Sequence, residues 1–295
     1  MPNTHTPPVV ADDMIPRIPA WITSRGVEDI ENVSFLSGAA LAHLHGVLAR
    51  KELPASLLRD RLALGAAESC VALSGRPERA ADLRDALHLM RPDDLPGPAG
   101  ATYLSWHRAV ARPVSVEALQ RALPDREAEA ILGGLDRSRQ DTPVSQAAQV
   151  LEAVVTDDPR AQAPALIFAD AVLAQALGWD HLVPLLATGL KRGDLRQRGA
   201  ALGMACHRAI VAAVIRVVRL AGDLTRRAMR LHAVAPKLRA KAAPDAVAMF
   251  LSRDAVTPSA LPLPDRSARR LCDRLVSLGA IRELTGRDTF RIYGL

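Results

Sequence analysis

Apolar residues recur along this chain three and four apart, the spacing of a helical stripe, from residue 33 almost to residue 278. Val33, Leu36, Ala40, Leu44, Val47 and Leu48 share one face of a predicted helix over 33–50. Pro54 sits where a first helical turn tolerates a missing N–H, and Leu57, Leu58, Leu62, Ala66 and Val71 carry the pattern on to Gly75. Pro77 opens a third helix, PERAADLRDALHLM, which stops before Arg91-Pro92. The string RPDDLPGPAG, dense in Pro and Gly, then turns the chain. Further helices are predicted over 101–111, 115–123, 125–135, 143–155, 159–177 and 180–190, the last capped by Asp180. The longest pattern runs from Asp194 to Val234, with a break marked at Gly222.

The final fifty residues read differently. A short helix (DAVAMFLSRD) follows Pro244, and residues 257–261 offer one more turn. Asp265 can cap a longer helix, RSARRLCDRLVSLG, with Ala268, Leu271, Leu275 and Leu278 on its buried side. Two short strands are predicted around a Thr285-Gly286-Arg287-Asp288 turn. There Phe290 and Ile292 alternate with Arg291 and Tyr293, as in a hairpin packed on one side. Helix, turn, Arg-rich helix and hairpin is the order of a winged helix-turn-helix. The expected fold is therefore all-α, a multi-helix array with a C-terminal winged helix-turn-helix carrying a short β-hairpin. The expected division is a flexible leader at 1–31, a helical domain at 32–241 and the winged module at 242–295. Five prolines keep the leader from being helical, and Trp21 and Ile22 are its expected docking points.

Composition narrows the class. About half of the 295 residues are hydrophobic, mostly Ala, Leu and Val, and nine are aromatic. That excludes a disordered chain, a fibrous repeat and a mainly β protein. Three scattered cysteines and no cationic segment leading into an apolar run point to a reduced, cytoplasmic setting. The longest apolar stretch, 199–222, is interrupted by His207, Arg208, Arg216 and Arg219. Such residues at mid-membrane depth cost several kcal/mol, so no membrane partner is expected.

Charge changes the picture most. The net charge of +6 conceals two opposite parts: residues 1–186 hold 17 basic and 24 acidic side chains, and residues 187–295 hold 21 and 8. Residues 191–241 alone hold 13 basic and 2 acidic side chains. At 100° per residue, Arg208, Arg219, Arg226 and Arg230 fall within about 40° of one another and Arg216 within about 80°. This stripe reads first as a solvated face pairing with the acidic N-terminal part, and alternatively as a phosphate contact. On the predicted winged module, Arg266, Arg269, Arg270 and Arg274 are expected to face duplex DNA, with Arg287 and Arg291 on the wing. The alternative is a scaffold or regulatory protein whose winged helix contacts protein. A homodimer or an acidic protein partner fits either reading.

Candidates for chemistry are few. His43 and His45 diverge by about 200° on a helix and cannot chelate together. Asp85 and His88, one turn apart, read as a local surface pair. Asp170 lies in the nearly apolar string ALIFADAVLAQAL, where a buried carboxyl needs a neighbouring helix to bond it. Cys206 and His207 read as core or boundary residues. No phosphate-binding Gly loop, C-x-x-C, G-x-S-x-G or H-E-x-x-H string occurs in the sequence. The protein is thus read as a non-enzyme without a cofactor or metal.

The string ARRLCDRLVSLGAIRELTGRDTFRIYGL resembles the winged-helix tail of many bacterial proteins, including the one that ends Fic-family proteins. Leu271, Leu275 and Gly279 stand in its helix positions, and Ile281, Glu283 and Thr285-Gly286-Arg287 in its turn segment. The catalytic loop of Fic enzymes is absent, so their activity is not implied. The strings SFLSGAALA, DLRDALHLMRPDDLPGPAG and FADAVLAQALGWDHLVPLLA, with the same tail, resemble an uncharacterised bacterial family. That family is found in alphaproteobacteria, often on plasmids. The resemblance brings no established activity and no site residues; the motif order and the charge partition are what point to a DNA-binding, transcriptional or plasmid-associated regulator.

Overall fold

The computed structural model describes residues 15–23, 29–90, 94–133, 141–238 and 241–295. Twelve α-helices occur among them. They are α1 (Ile30–Leu48), α2 (Ala55–Leu73), α3 (Ala80–His88), α4 (Gly97–Ala111), α5 (Val116–Ala122), α6 (Ala128–Gly133), α7 (Pro143–Asp157), α8 (Gln162–Ala176), α9 (Leu186–Gly189), α10 (Gly199–Val234), α11 (Ala243–Ser252) and α12 (Asp265–Ser277). Two strands, β1 (Arg282–Glu283) and β2 (Tyr293–Gly294), form an antiparallel ladder. The protein is mostly helical, as the periodicity requires. Residues 91–93 of the predicted turn and 134–135 of a predicted helix end lie outside the described residues, as do 1–14 and 24–28 of the expected leader.

The helices pack chiefly in pairs: α7 on α8, α2 on α4, and α1 along α10. At the centre lies α8, buried on every side from Ala165 to Ala174. A helix enclosed all round needs no polar face, which is why its sequence is apolar all round. By contrast, α10 buries one stripe, including Leu202, Cys206, Ile210, Val214, Val217, Ala221, Leu224, Ala228 and Leu231. It runs unbroken through Gly222. Its backbone stays helical there, and the break read from the sequence does not occur. Among the described residues α10 alone is long and apolar enough to cross a membrane, and half of its most apolar window is buried inside the protein.

Three further expectations are corrected. Residues 180–190 do not form one helix. Asp180 does not cap a helix; its carbonyl accepts the Val114 N–H at 2.8 Å. His181 forms a bridge with Pro113. Only Leu186–Gly189 is helical, because Pro184 lacks an N–H and holds Val183 out of the helical region. The short α9 then crosses α10 closely. A Cβ on Gly189 would lie 2.4 Å from the Ala209 carbonyl oxygen, so only glycine fits. Asp265 is the first residue of α12 rather than its cap, and pairs with Arg269 at 3.0 Å. Along the predicted hairpin, Ile292 is buried but Phe290 is 72% exposed. Phe290 has φ of 54°, which turns its ring off the face that alternation assigned to it.

The leader is docked where it is described. Ile15 and Ile22 are buried, and the Pro16 carbonyl lies 3.0 Å from His43 Nε2. Trp21, the other expected anchor, is half exposed against the Phe35 ring.

Buried apolar residues form one cluster reaching from Ile15 to Leu295, through the expected boundary at 241. Asp254, in the loop after α11, is the polar counterpart of that continuity. Its side chain is 1% exposed and forms a two-pronged pair with Arg84 of α3, at 2.6 and 3.1 Å. Arg61 of α2 closes on the same carboxylate. The Asp254 N–H donates to Asp60 at 3.2 Å, and Asp60 also faces His107 of α4 at 3.3 Å. Burial pushes the Asp254 carboxyl up, but the Arg84 hydrogen bond and the two guanidinium charges outweigh it and hold the carboxyl below its ordinary value.

Removing Asp254 strands two partly buried guanidiniums. Asp254→Ala should lower the unfolding free energy by about 3–5 kcal/mol, read from urea titration. The Asp254 contribution should be complete above about pH 4 and fade as pH falls through its lowered value. A loss below about 1 kcal/mol would show that the lock is not needed.

Candidate nucleic-acid interface

α12 amphipathicity is the strongest local feature of the C-terminal part. Ala268, Leu271, Cys272 and Leu275 are buried, while Arg266, Arg269, Arg270 and Arg274 are exposed. At 100° per residue those four arginines cover an arc of about 140°. Arg269 is 69% exposed, and its partner Asp265 is equally open to water, so that ion pair contributes little.

The surroundings of α12 follow a definite order. α11 leads to Val256, which bridges to Tyr293 of β2; a single turn of 3₁₀ helix follows at Pro258–Ala260, then α12, β1 and β2. The Val256 and Tyr293 backbones exchange hydrogen bonds at 2.8 and 2.9 Å. Gly294 lies against the Asp254 carbonyl oxygen, which a Cβ would approach to 2.5 Å. In the loop between the strands, Glu283 accepts the Thr285 and Gly286 N–H groups at 2.6 and 2.8 Å. Burial raises the Glu283 carboxyl, but the Thr285 hydroxyl bond and these two amides outweigh it and leave it below its ordinary value.

The two loop arginines have partners at home. Arg287 pairs with Asp85 of α3. Arg291 donates to the Arg287 carbonyl at 3.0 Å and lies 3.9 Å from Asp288. Asp85 thus serves the C-terminal loop, where the sequence paired it with His88.

On α10, Arg208, Arg216, Arg219, Arg226 and Arg230 are all exposed. Arg216 donates to the Thr188 carbonyl at 2.7 Å and so caps the C-terminal end of α9. Arg226 lies 3.7 Å from Asp223, which Arg227 holds more tightly at 2.7 Å. Arg226 and Arg230 border a cleft of about 350 Å³ together with Arg227 and Arg282. Here the C-terminal half of α10 meets the turn that follows α12 and β1. Arg227 and Arg282 were not singled out from sequence. Arg227 lies off the stripe, and Arg282 reaches the cleft only through the turn after Gly279.

Asp170 resolves into a structural role. Its buried carboxylate accepts the N–H groups of Leu185, Leu186 and Ala187 at 3.1, 2.8 and 3.2 Å and so caps α9 from α8. His43 and His45 bind different partners, the Pro16 carbonyl and the Trp179 indole. Among the described residues no group of three or more His, Cys, Asp or Glu side chains is placed to hold a metal.

A mostly helical array bearing a basic helix pair is thus the class of protein in view. The chain belongs to the family described as a protein of unknown function, DUF1403, which matches residues 8–295. No curated protein matches it.

Burial pushes the Asp170 carboxyl up to about 7, against the pull of its three amides. Between its unfolded value near 4 and that value the folded state binds more protons, so its contribution falls as pH rises. Asp170→Asn leaves one amide unbonded and should cost about 1–3 kcal/mol. The gap to wild type should shrink from pH 5 to pH 8 in denaturant titrations; a gap that widens would contradict this.

Proposed function

We propose that the protein binds duplex DNA, with residues 242–295 acting as a winged helix-turn-helix and α10 adding phosphate contacts. The observation that carries this reading is α12: four arginines on one exposed arc, in a helix held from behind by its apolar face. Arginine can bond guanine edges or phosphates with two parallel N–H groups, which a lysine cannot do. The order α11, Val256 bridge, single turn, α12, β1 and β2 supports the winged-helix reading. In that arrangement α12 enters the major groove and the loop between the strands lies beside the backbone.

The α10 stripe extends the same surface. Arg208 and Arg230 are 22 residues apart on one helix, about 33 Å at 1.5 Å per residue, close to one turn of B-DNA. The segment 242–295 holds 8 basic and 6 acidic side chains, so most electrostatic affinity falls to α10. The role is a regulator of transcription or of plasmid functions, acting in the cytoplasm and without a cofactor.

A second reading rests on the loop. Arg287 is held by Asp85, and Phe290 is exposed beside it, a combination that suits contact with a protein surface.

A mobility-shift titration at two salt concentrations separates these. Arg269→Ala/Arg270→Ala should weaken duplex binding at least tenfold and lower the salt slope by about 2. Arg226→Ala/Arg230→Ala should weaken binding by a similar factor. Absence of binding at low salt, or unchanged binding in both double variants, would overturn the assignment.

A further inference from the structure

A second site lies in the helical array, away from α12. A cavity of about 640 Å³ opens between α1, the start of α7, Trp179 and the N-terminal half of α10. That volume is the size of a small-molecule site. Its walls are apolar, with Leu41, Val144, Leu177 and the Trp179 indole among them, and among the described residues no Asp, Glu, Lys or Arg lines it.

The polar groups of the cavity bond one another. Ser37 is buried, and its hydroxyl lies 3.0 Å from the Ser34 carbonyl and 2.6 Å from His207 Nδ1. His207 Nε2 lies 3.3 Å from the Ser34 hydroxyl. Burial lowers the His207 pKa, which favours the neutral ring. The tautomer of His45 is set by its partner. The indole N–H of Trp179 can only donate, and it reaches His45 Nδ1 at 3.0 Å, so the neutral ring carries its proton on Nε2. At the α7 end, Thr142 accepts the Ser145 N–H at 3.3 Å and shares a hydrogen bond with the Ser145 hydroxyl at 2.9 Å. One hydroxyl proton of that pair is left over. His45 Nε2–H and one hydroxyl proton of Thr142 and Ser145 are thus the donors that these lining residues have to spare, beside the positive end of a fifteen-residue helix.

From this arrangement we infer that the cavity binds a small molecule with an apolar, preferably aromatic body and an oxygen-acceptor head, a carboxylate or an amide carbonyl. The body lies against Trp179, Leu41 and Leu177, and the head takes the His45 and α7 donors. A cationic head is disfavoured, because donors and a positive helix end face it and no carboxylate among the described residues lines the wall. The site is separate from the proposed DNA surface, and its occupancy can be read without DNA.

The test uses three ligands of one shape on the full chain: 1-naphthaleneacetate, 1-naphthaleneacetamide and 2-(1-naphthyl)ethylamine, titrated by calorimetry. The acetate or the acetamide should bind saturably at one site, and the amine at least tenfold more weakly. The stronger of the first two identifies whether the head is charged or neutral. Gly38 lies on the cavity wall with open space around its Cβ position, so Gly38→Leu fills the cavity without displacing backbone and should abolish binding. His45→Phe keeps the wall but loses the donor, and should weaken the bound acid or amide five- to twentyfold. Both variants should keep the wild-type circular dichroism spectrum. Failure of both oxygen-headed ligands to bind, equal binding of the amine, or binding unchanged in a folded Gly38→Leu protein would overturn the inference.

Discussion

One buried carboxylate ties the C-terminal segment to the rest of the chain. Asp254 emerges from the loop after α11 into a site made by α2, α3 and α4, where Arg61 and Arg84 close on it and Asp60 holds its N–H. An ion taken out of water is tolerable only when its partners are fixed, so this contact sets the position of everything after α11. The close approach of Gly294 to the Asp254 carbonyl and the bridge between Val256 and Tyr293 follow from it. Arg287, reaching across to Asp85, adds a second tie at the loop end.

The consequence for the surface is a constraint on which charges remain available. Arginines near the junction are used internally: Arg61 and Arg84 on Asp254, Arg287 on Asp85, Arg216 on the end of α9. Those on the exposed arc of α12, and Arg226 and Arg230 beside the α10 cleft, stay open to water. The proposed DNA contact therefore falls on two helices whose mutual position the Asp254 site helps to hold. An array that fastens its own terminal segment so firmly suits a function in which α12 and α10 act as one surface.

Helices were legible because burial repeats every 3.6 residues, and that period survives in α1, α2, α7, α10 and α12. The amphipathic α12 showed its outward arginines directly, since Ala268, Leu271 and Leu275 mark the inner face. At 180–190 the apolar run looks helical, yet only Leu186–Gly189 is; the residues before it are held by groups remote in sequence, the Val114 N–H and the Asp170 carboxylate. The sequence places His207 in the core or at its boundary, and it is buried; only folding brings Ser34 and Ser37 of α1 to its ring across more than 160 positions.

By itself the sequence determined an all-helical body, an Arg-striped helix near its end, and a terminal segment with an outward basic arc. Each depends on contacts within a few residues or on a periodic pattern. The tertiary structure alone decided which arginines are used internally, that Asp170 caps a helix and Asp254 locks a segment, and that His45, Trp179 and His207 border one cavity. These are pairings between groups far apart in the chain, and their energy comes from desolvation and geometry that no local pattern records.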